Sequence, residues 1–154
     1  MKIVGPVNII GGNSINEGAW ATGIRSDIRL YGQTTNGTAL TLTTDAAAAG
    51  TTNQLILPND SSVVFRAQMI ARNTTADNDT MAFEFIGAIR RGTSAANTVI
   101  IGTPSKTIVG TDGSAWTYAL TADTTNGGLK IAVTGAAGKT LNWTCFLNFT
   151  GVTG

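Results

Sequence analysis

Along residues 62–151 apolar side chains fall on alternate positions with few interruptions. The clearest case is residues 116–123. Trp116, Tyr118, Leu120 and Ala122 share one parity, while Thr117, Ala119, Thr121 and Asp123 share the other. A period of two is the mark of a strand with one buried face. The run ends in Asn126-Gly127-Gly128, residues that tolerate the positive φ of a tight hairpin. Leu129, Ile131 and Val133 mark a second strand, and Leu141, Trp143, Cys145, Leu147 and Phe149 a third, with Phe146 alone among the polar residues opposite. These three read as an antiparallel meander, and its apolar face needs a covering layer.

Upstream segments supply that layer. Residues 62–73 read as a long strand with Val63, Phe65, Ala67, Met69 and Ala71 facing in, and Val64, Arg66, Gln68, Ile70 and Arg72 facing out. Met81, Phe83, Phe85, Gly87 and Ile89 mark the next strand. Pairing the two as a hairpin brings Glu84 towards Arg66 on the outer face. Shorter strands are expected at 38–43 and 54–57, and at 97–101 and 106–109 on either side of Pro104. Residues 45–53 contain four consecutive alanines, but Gly50 and the flanking threonines favour a loop over a helix. With about eight to ten strands and no amphipathic helix, the pattern predicts an all-β, antiparallel β-sandwich or jelly-roll-like domain over residues 38–154. Residues 1–37 differ, with short apolar pieces punctuated by glycine. They read as an N-terminal β arm or β-roll-like segment that leans on the main domain or on another subunit.

Composition narrows the picture. Charged residues are 12% of the 154, where an ordinary soluble domain has roughly 25%. A surface so polar yet so weakly charged suits extracellular or virion proteins and proteins that bury surface in an oligomer. The net charge of +1 leaves no electrostatic footprint for nucleic acid. No apolar run approaches the roughly 20 residues of a spanning helix, so membrane insertion is not expected. The N-terminus lacks a signal-peptide pattern, which implies release by another route, such as lysis, or a chain that is a fragment of something longer. Cys145, the single cysteine, lies on an apolar strand face and reads as a buried structural thiol.

Four pieces in order resemble a known family. They are the arginine-bearing strand 64–72, the strand 82–92 with its Phe-Glu-x-x-Gly-x-Ile-x-Arg pattern, the tryptophan-led hairpin 114–135, and the last strand Thr140-Leu-Asn-Trp-Thr-Cys-Phe146. Together they resemble a C-terminal β-sandwich module of tailed-bacteriophage tail fibres and tailspikes, over roughly residues 38–150. Cys145-Phe146 departs from the smaller or aliphatic residues expected there. The resemblance implies a homotrimeric virion protein that binds a host cell-surface glycan or outer-membrane protein and contacts other virion proteins.

Chemistry finds little purchase. Without histidine there is no Ser-His-Asp or Cys-His site and no usual zinc site. The nine acids are scattered, mostly in turns, so no paired carboxylates of a glycosidase stand out. No cofactor, metal or catalytic residue is therefore expected. Asp77-Asn78-Asp79 lacks the glycine and distal glutamate of a calcium loop and reads as a hairpin tip. The candidate receptor-contact residues are Asp77, Asn78 and Asp79 in loop 74–80 and Asp112 in loop 110–114, since loops on a rigid sandwich carry variable function. Trp116, Tyr118 and Trp143 lie on apolar faces and are expected in the core, whereas Trp20 and Tyr31 are better placed for exposed or intersubunit contacts. A structural virion protein without a receptor and a monomeric carbohydrate-binding module are the alternative readings.

Overall fold

The computed structural model describes residues 24–75, 79–112 and 115–154. Nine strands and one 3-10 turn (Ala95–Asn97) are present among them. The larger sheet has five antiparallel strands in the order β1-β9-β4-β5-β6: β1 (Ile24–Thr34), β9 (Leu141–Thr153), β4 (Ser61–Asn73), β5 (Thr80–Arg91) and β6 (Thr98–Thr111). In the smaller sheet β8 (Gly128–Thr134) is central. It pairs with β7 (Thr117–Asp123) along one edge, and with β2 (Ala39–Thr41) and then β3 (Leu55–Ile56) along the other. The fold is the expected all-β, antiparallel sandwich.

The core lies between the two sheets. Val63, Phe65, Ala67, Met69 and Ala71 of β4 are buried, as are Met81, Phe83, Phe85 and Ile89 of β5 and Leu129, Ile131 and Val133 of β8. Period-two alternation therefore placed these side chains correctly. Towards one end of the sandwich the filling is aromatic. Phe83 stacks on Trp143 (6.4 Å between centroids), Trp116 meets Trp143 edge-on (6.2 Å), and the Trp143 indole N–H donates to Thr34 Oγ1 at 3.0 Å. Such ring pairs add to plain burial. Towards the other end it is aliphatic, with Val63, Ile89, Leu55, Leu57 and Leu129.

Three details differ from the sequence reading. The last strand does not extend the meander: β9 crosses to the larger sheet and lies between β1 and β4. Length explains this, because thirteen alternating residues find full partners in β4 (13 residues) and β1 (11 residues) but not in β8 (7 residues). Secondly, residues 24–34, read with the arm, form β1 and pair with β9 from Ile24↔Gly151 to Thr34↔Leu141. The earlier part of the arm, including Trp20, lies outside the described residues. Thirdly, the two short strands around Pro104 are one strand, β6, with a bulge. Residues 102–104 sit between Ile101, opposite Ala88, and Ser105, opposite Ile86. Proline has no N–H to give a ladder, and a bulge excuses it. Gly87 faces this bulge. A Cβ there would come within 2.6 Å of the Phe65 ring and 3.1 Å of Pro104, so glycine is what lets the three pack.

Candidate functional site

Strand pairing gathers the loops into two groups. One end of the sandwich collects the β1–β2, β4–β5, β6–β7 and β8–β9 connections, because Asn73 pairs with Leu141 and Met81 with Thr111. The other end collects the remaining connections.

At the first end the β4–β5 and β6–β7 loops meet. The Asp112 carboxylate accepts a hydrogen bond from the Thr80 backbone N–H, and the Asp112 N–H donates to the Thr80 carbonyl at 3.3 Å. Asp79 pairs with Lys139 from the β8–β9 loop, and its carbonyl accepts from the Asn73 N–H at 2.8 Å. The Thr74 N–H donates to the Thr140 carbonyl at 2.8 Å. Two of the candidate residues, Asp79 and Asp112, thus flank Thr80 in one cluster, although they are more than thirty positions apart in sequence. Asp77 and Asn78 lie outside the described residues, as do positions 113 and 114 of the second loop.

The second end is held from within. Asp123 is its hub. One carboxylate oxygen accepts from the Thr125 N–H (3.0 Å) and the Asn126 N–H (2.9 Å), and the other from Asn126 Nδ2 (2.8 Å) and Gln54 Nε2 (2.9 Å). Burial by itself would raise its pKa. The bonds from the Asn126 and Gln54 side chains and the Asn126 and Thr125 amides outweigh that and hold the carboxyl below 3.8. Arg91 turns inward and donates to the Leu57 carbonyl at 2.6 Å. Asn53, a buried residue, donates to Asp45 (2.9 Å) and the Ala48 carbonyl (2.9 Å) and accepts from the Gly50 N–H (2.8 Å). The Asp123 turn is longer than the tight hairpin expected: residues 124–127 close it, with Gly127 at φ +81°.

Trp116 and Trp143 are core residues, and Tyr118 is half-buried between Phe83, Phe85 and the Lys106 ammonium. Desolvation, with the nearby Cys145, pushes the Tyr118 phenol up to about 12. Burial likewise pushes the Cys145 thiol up to about 12, and the residue is fully buried, the inert thiol expected. Tyr31 is half-buried on the outer face of β1, its ring under the Arg29 guanidinium at 4.9 Å. No group of three or more metal-binding side chains occurs among the described residues.

Sequence reasoning did not single out the outer face of the larger sheet. Arg66 and Glu84 pair there as anticipated. Around them a shallow depression of about 380 Å³ is lined by Arg25, Val64, Gln68, Ile86, Asn148 and Thr150 among others. The signal was available. Val64, Ile70 and Phe146 all sit on the outward parity of their strands, and they mattered only once taken together.

The fold defines an all-β sandwich domain. A solved structure similar to it is the tailspike protein of Acinetobacter baumannii phage AM24, with a TM-score of 0.34 and 8% identity. The match covers 78% of this chain and spans 26% of that one. No protein-family model matches the sequence, and no curated protein is similar to it.

Proposed function

We propose that this protein is a non-enzymatic bacteriophage appendage component of the tail-fibre or tailspike kind. In this reading it belongs to the virion and works as a homotrimer. The loops at one end of its sandwich contact a host cell-surface glycan or outer-membrane protein. The observation that carries the reading is the contact of Asp112 with Thr80, which brings Asp79 and Asp112, one from each candidate segment, to the same place. The ordered set of four strand patterns and the 12% charge content support it from the sequence side. Trp116 and Trp143 lie in the core and offer no face for stacking on a pyranose.

The test is binding of labelled protein to susceptible bacteria. Alanine substitutions across residues 74–79 and 110–114, made together in a variant that keeps its thermal unfolding transition, are expected to abolish it. Undiminished binding removes these loops as the contact surface. Wild-type protein that ignores cells but binds purified virion parts points instead to a structural virion role.

A further inference from the structure

Every exposed large apolar side chain among the described residues belongs to the five-stranded sheet. Ile108 and Val109 lie on β6. The other seven project from the sheet's outer face, where Val64, Ile86 and Ile101 form a continuous patch with Val99 beside it, and Ile70 and Phe146 lie further along. Ladder register supports this grouping: Ile101 lies beside Ala88, Ala88 beside Val64, and Val64 beside Thr150. The exposures are large, at 47% for Ile101 and 49% for Phe146. Scattered exposed aliphatics need no cause, but a contiguous group on one flat face marks a contact surface.

The charged residues on this face have an interface composition as well. Arg25, Arg29, Arg66, Arg72 and Arg90 project from it, with Asp27 and Glu84 as the acids and no lysine. Arginine is enriched and lysine depleted where proteins meet. Arg90 and Arg72 lie at the two ends of the strands and Arg25 and Arg29 along β1, so the charge rims the apolar patch. Within it, Arg66 is already paired with Glu84.

We infer that this outer face is the surface by which one copy of the chain packs on the next, an inference that rests on the homotrimer reading above. Size supports a second copy as the occupant. Five strands about 4.8 Å apart and about 40 Å long present roughly 1,000 Å², and a stable interface takes roughly 800 Å² from each partner. Charge supports it too. The face carries three more positive than negative charges while the chain totals +1, so the remainder of the chain is acidic. Face against face would oppose like charges. Face against a different side of the neighbour is the heterologous contact that closes into a ring. The edge strand β6, exposed along most of its fourteen residues, adjoins the same patch.

Light scattering coupled to size exclusion tests this on the full chain. Wild type is expected at three times 15.8 kDa. Ile86→Glu with Ile101→Glu is expected at the monomer mass with its unfolding transition retained, since both side chains are exposed in the single chain. If the glutamate pair does not fold, Ile86→Thr with Ile101→Thr keeps β-branched side chains and is expected to weaken assembly at least tenfold. A trimeric wild type whose face variants stay trimeric overturns the interface and leaves the trimer standing. A wild type that is monomeric at every concentration overturns both.

Discussion

Where β7 turns into β8, one carboxylate gathers four donors, an inward arginine holds the β3–β4 connection, and a buried asparagine ties the β2–β3 loop to itself. At the opposite end, the β4–β5, β6–β7 and β8–β9 loops meet through the Asp79–Lys139 pair, the Asp112–Thr80 contacts and a backbone bond from Thr74 to Thr140. The same strands thus end in two kinds of closure. At the Asp123 end part-buried bonds converge on one carboxylate, so its loss leaves several donors unmet at once. At the opposite end buried Asn73 accepts from the Thr75 N–H and hydroxyl, but among the described residues the contacts between loops are one ion pair and a few backbone bonds, with no shared hub. In the proposed reading, the recognition surface lies at the end where Asp79 and Asp112 flank Thr80.

Breaking the hub is expected to have the largest effect. Asp123→Ala leaves the Gln54 amide and two backbone N–H groups without their acceptor, and should cost about 2–3 kcal/mol in urea unfolding. If it costs no more than Asp79→Ala, the contrast between the ends is false. The pH dependence sharpens the same point. Asp123 and Asp45 both titrate below 3.8, the latter held down first by the Ala47 N–H and then by Asn53. A depressed carboxylate contributes stability that is complete above its unfolded pKa and lost as pH falls through the folded one. Wild type should therefore lose stability below about pH 4, and Asp123→Asn should show a flatter profile there by circular dichroism.

Gly127→Val comes next. It places a β-branched residue at φ +81° with its Cβ 2.5 Å from Arg91 Nη1, and is expected to lower stability by about 1–2 kcal/mol. Smallest is the half-buried ion pair: Lys139→Ala or Asp79→Ala should cost about 1 kcal/mol or less, and 0.5 M salt should reduce the difference from wild type.

The inward faces of β4, β5, β7, β8 and β9 were legible because alternation is a local signal that survives whichever sheet a strand joins. Partner choice was not. Leu141 to Phe149 look the same beside β8 as beside β4, and only matched strand lengths and the crossing at residues 135–140 decide. The Arg66–Glu84 pair was readable from a single hairpin register. Asp123 was readable as a turn former, but its bond to Gln54 spans 69 positions and has no local mark. In the same way Asp79 and Asp112 were named separately, and their common neighbour Thr80 became visible only through the β5–β6 ladder.

The partnership of β1 with β9 has a consequence for synthesis. Asp27 bonds Asn148 at a separation of 121 positions, and the ladder it belongs to joins the first and last described strands. The hairpins β4–β5 and β5–β6 are able to form as they leave the ribosome, but β1, bridged locally only at Tyr31–Thr43, meets its ladder partner among the described strands only when residues 141–153 have emerged. Loop closure over such a span slows folding. During that interval the apolar stripe of Ile28 and Leu30 stays uncovered, so the nascent chain is open to chaperones and to wrong pairings with neighbouring nascent copies.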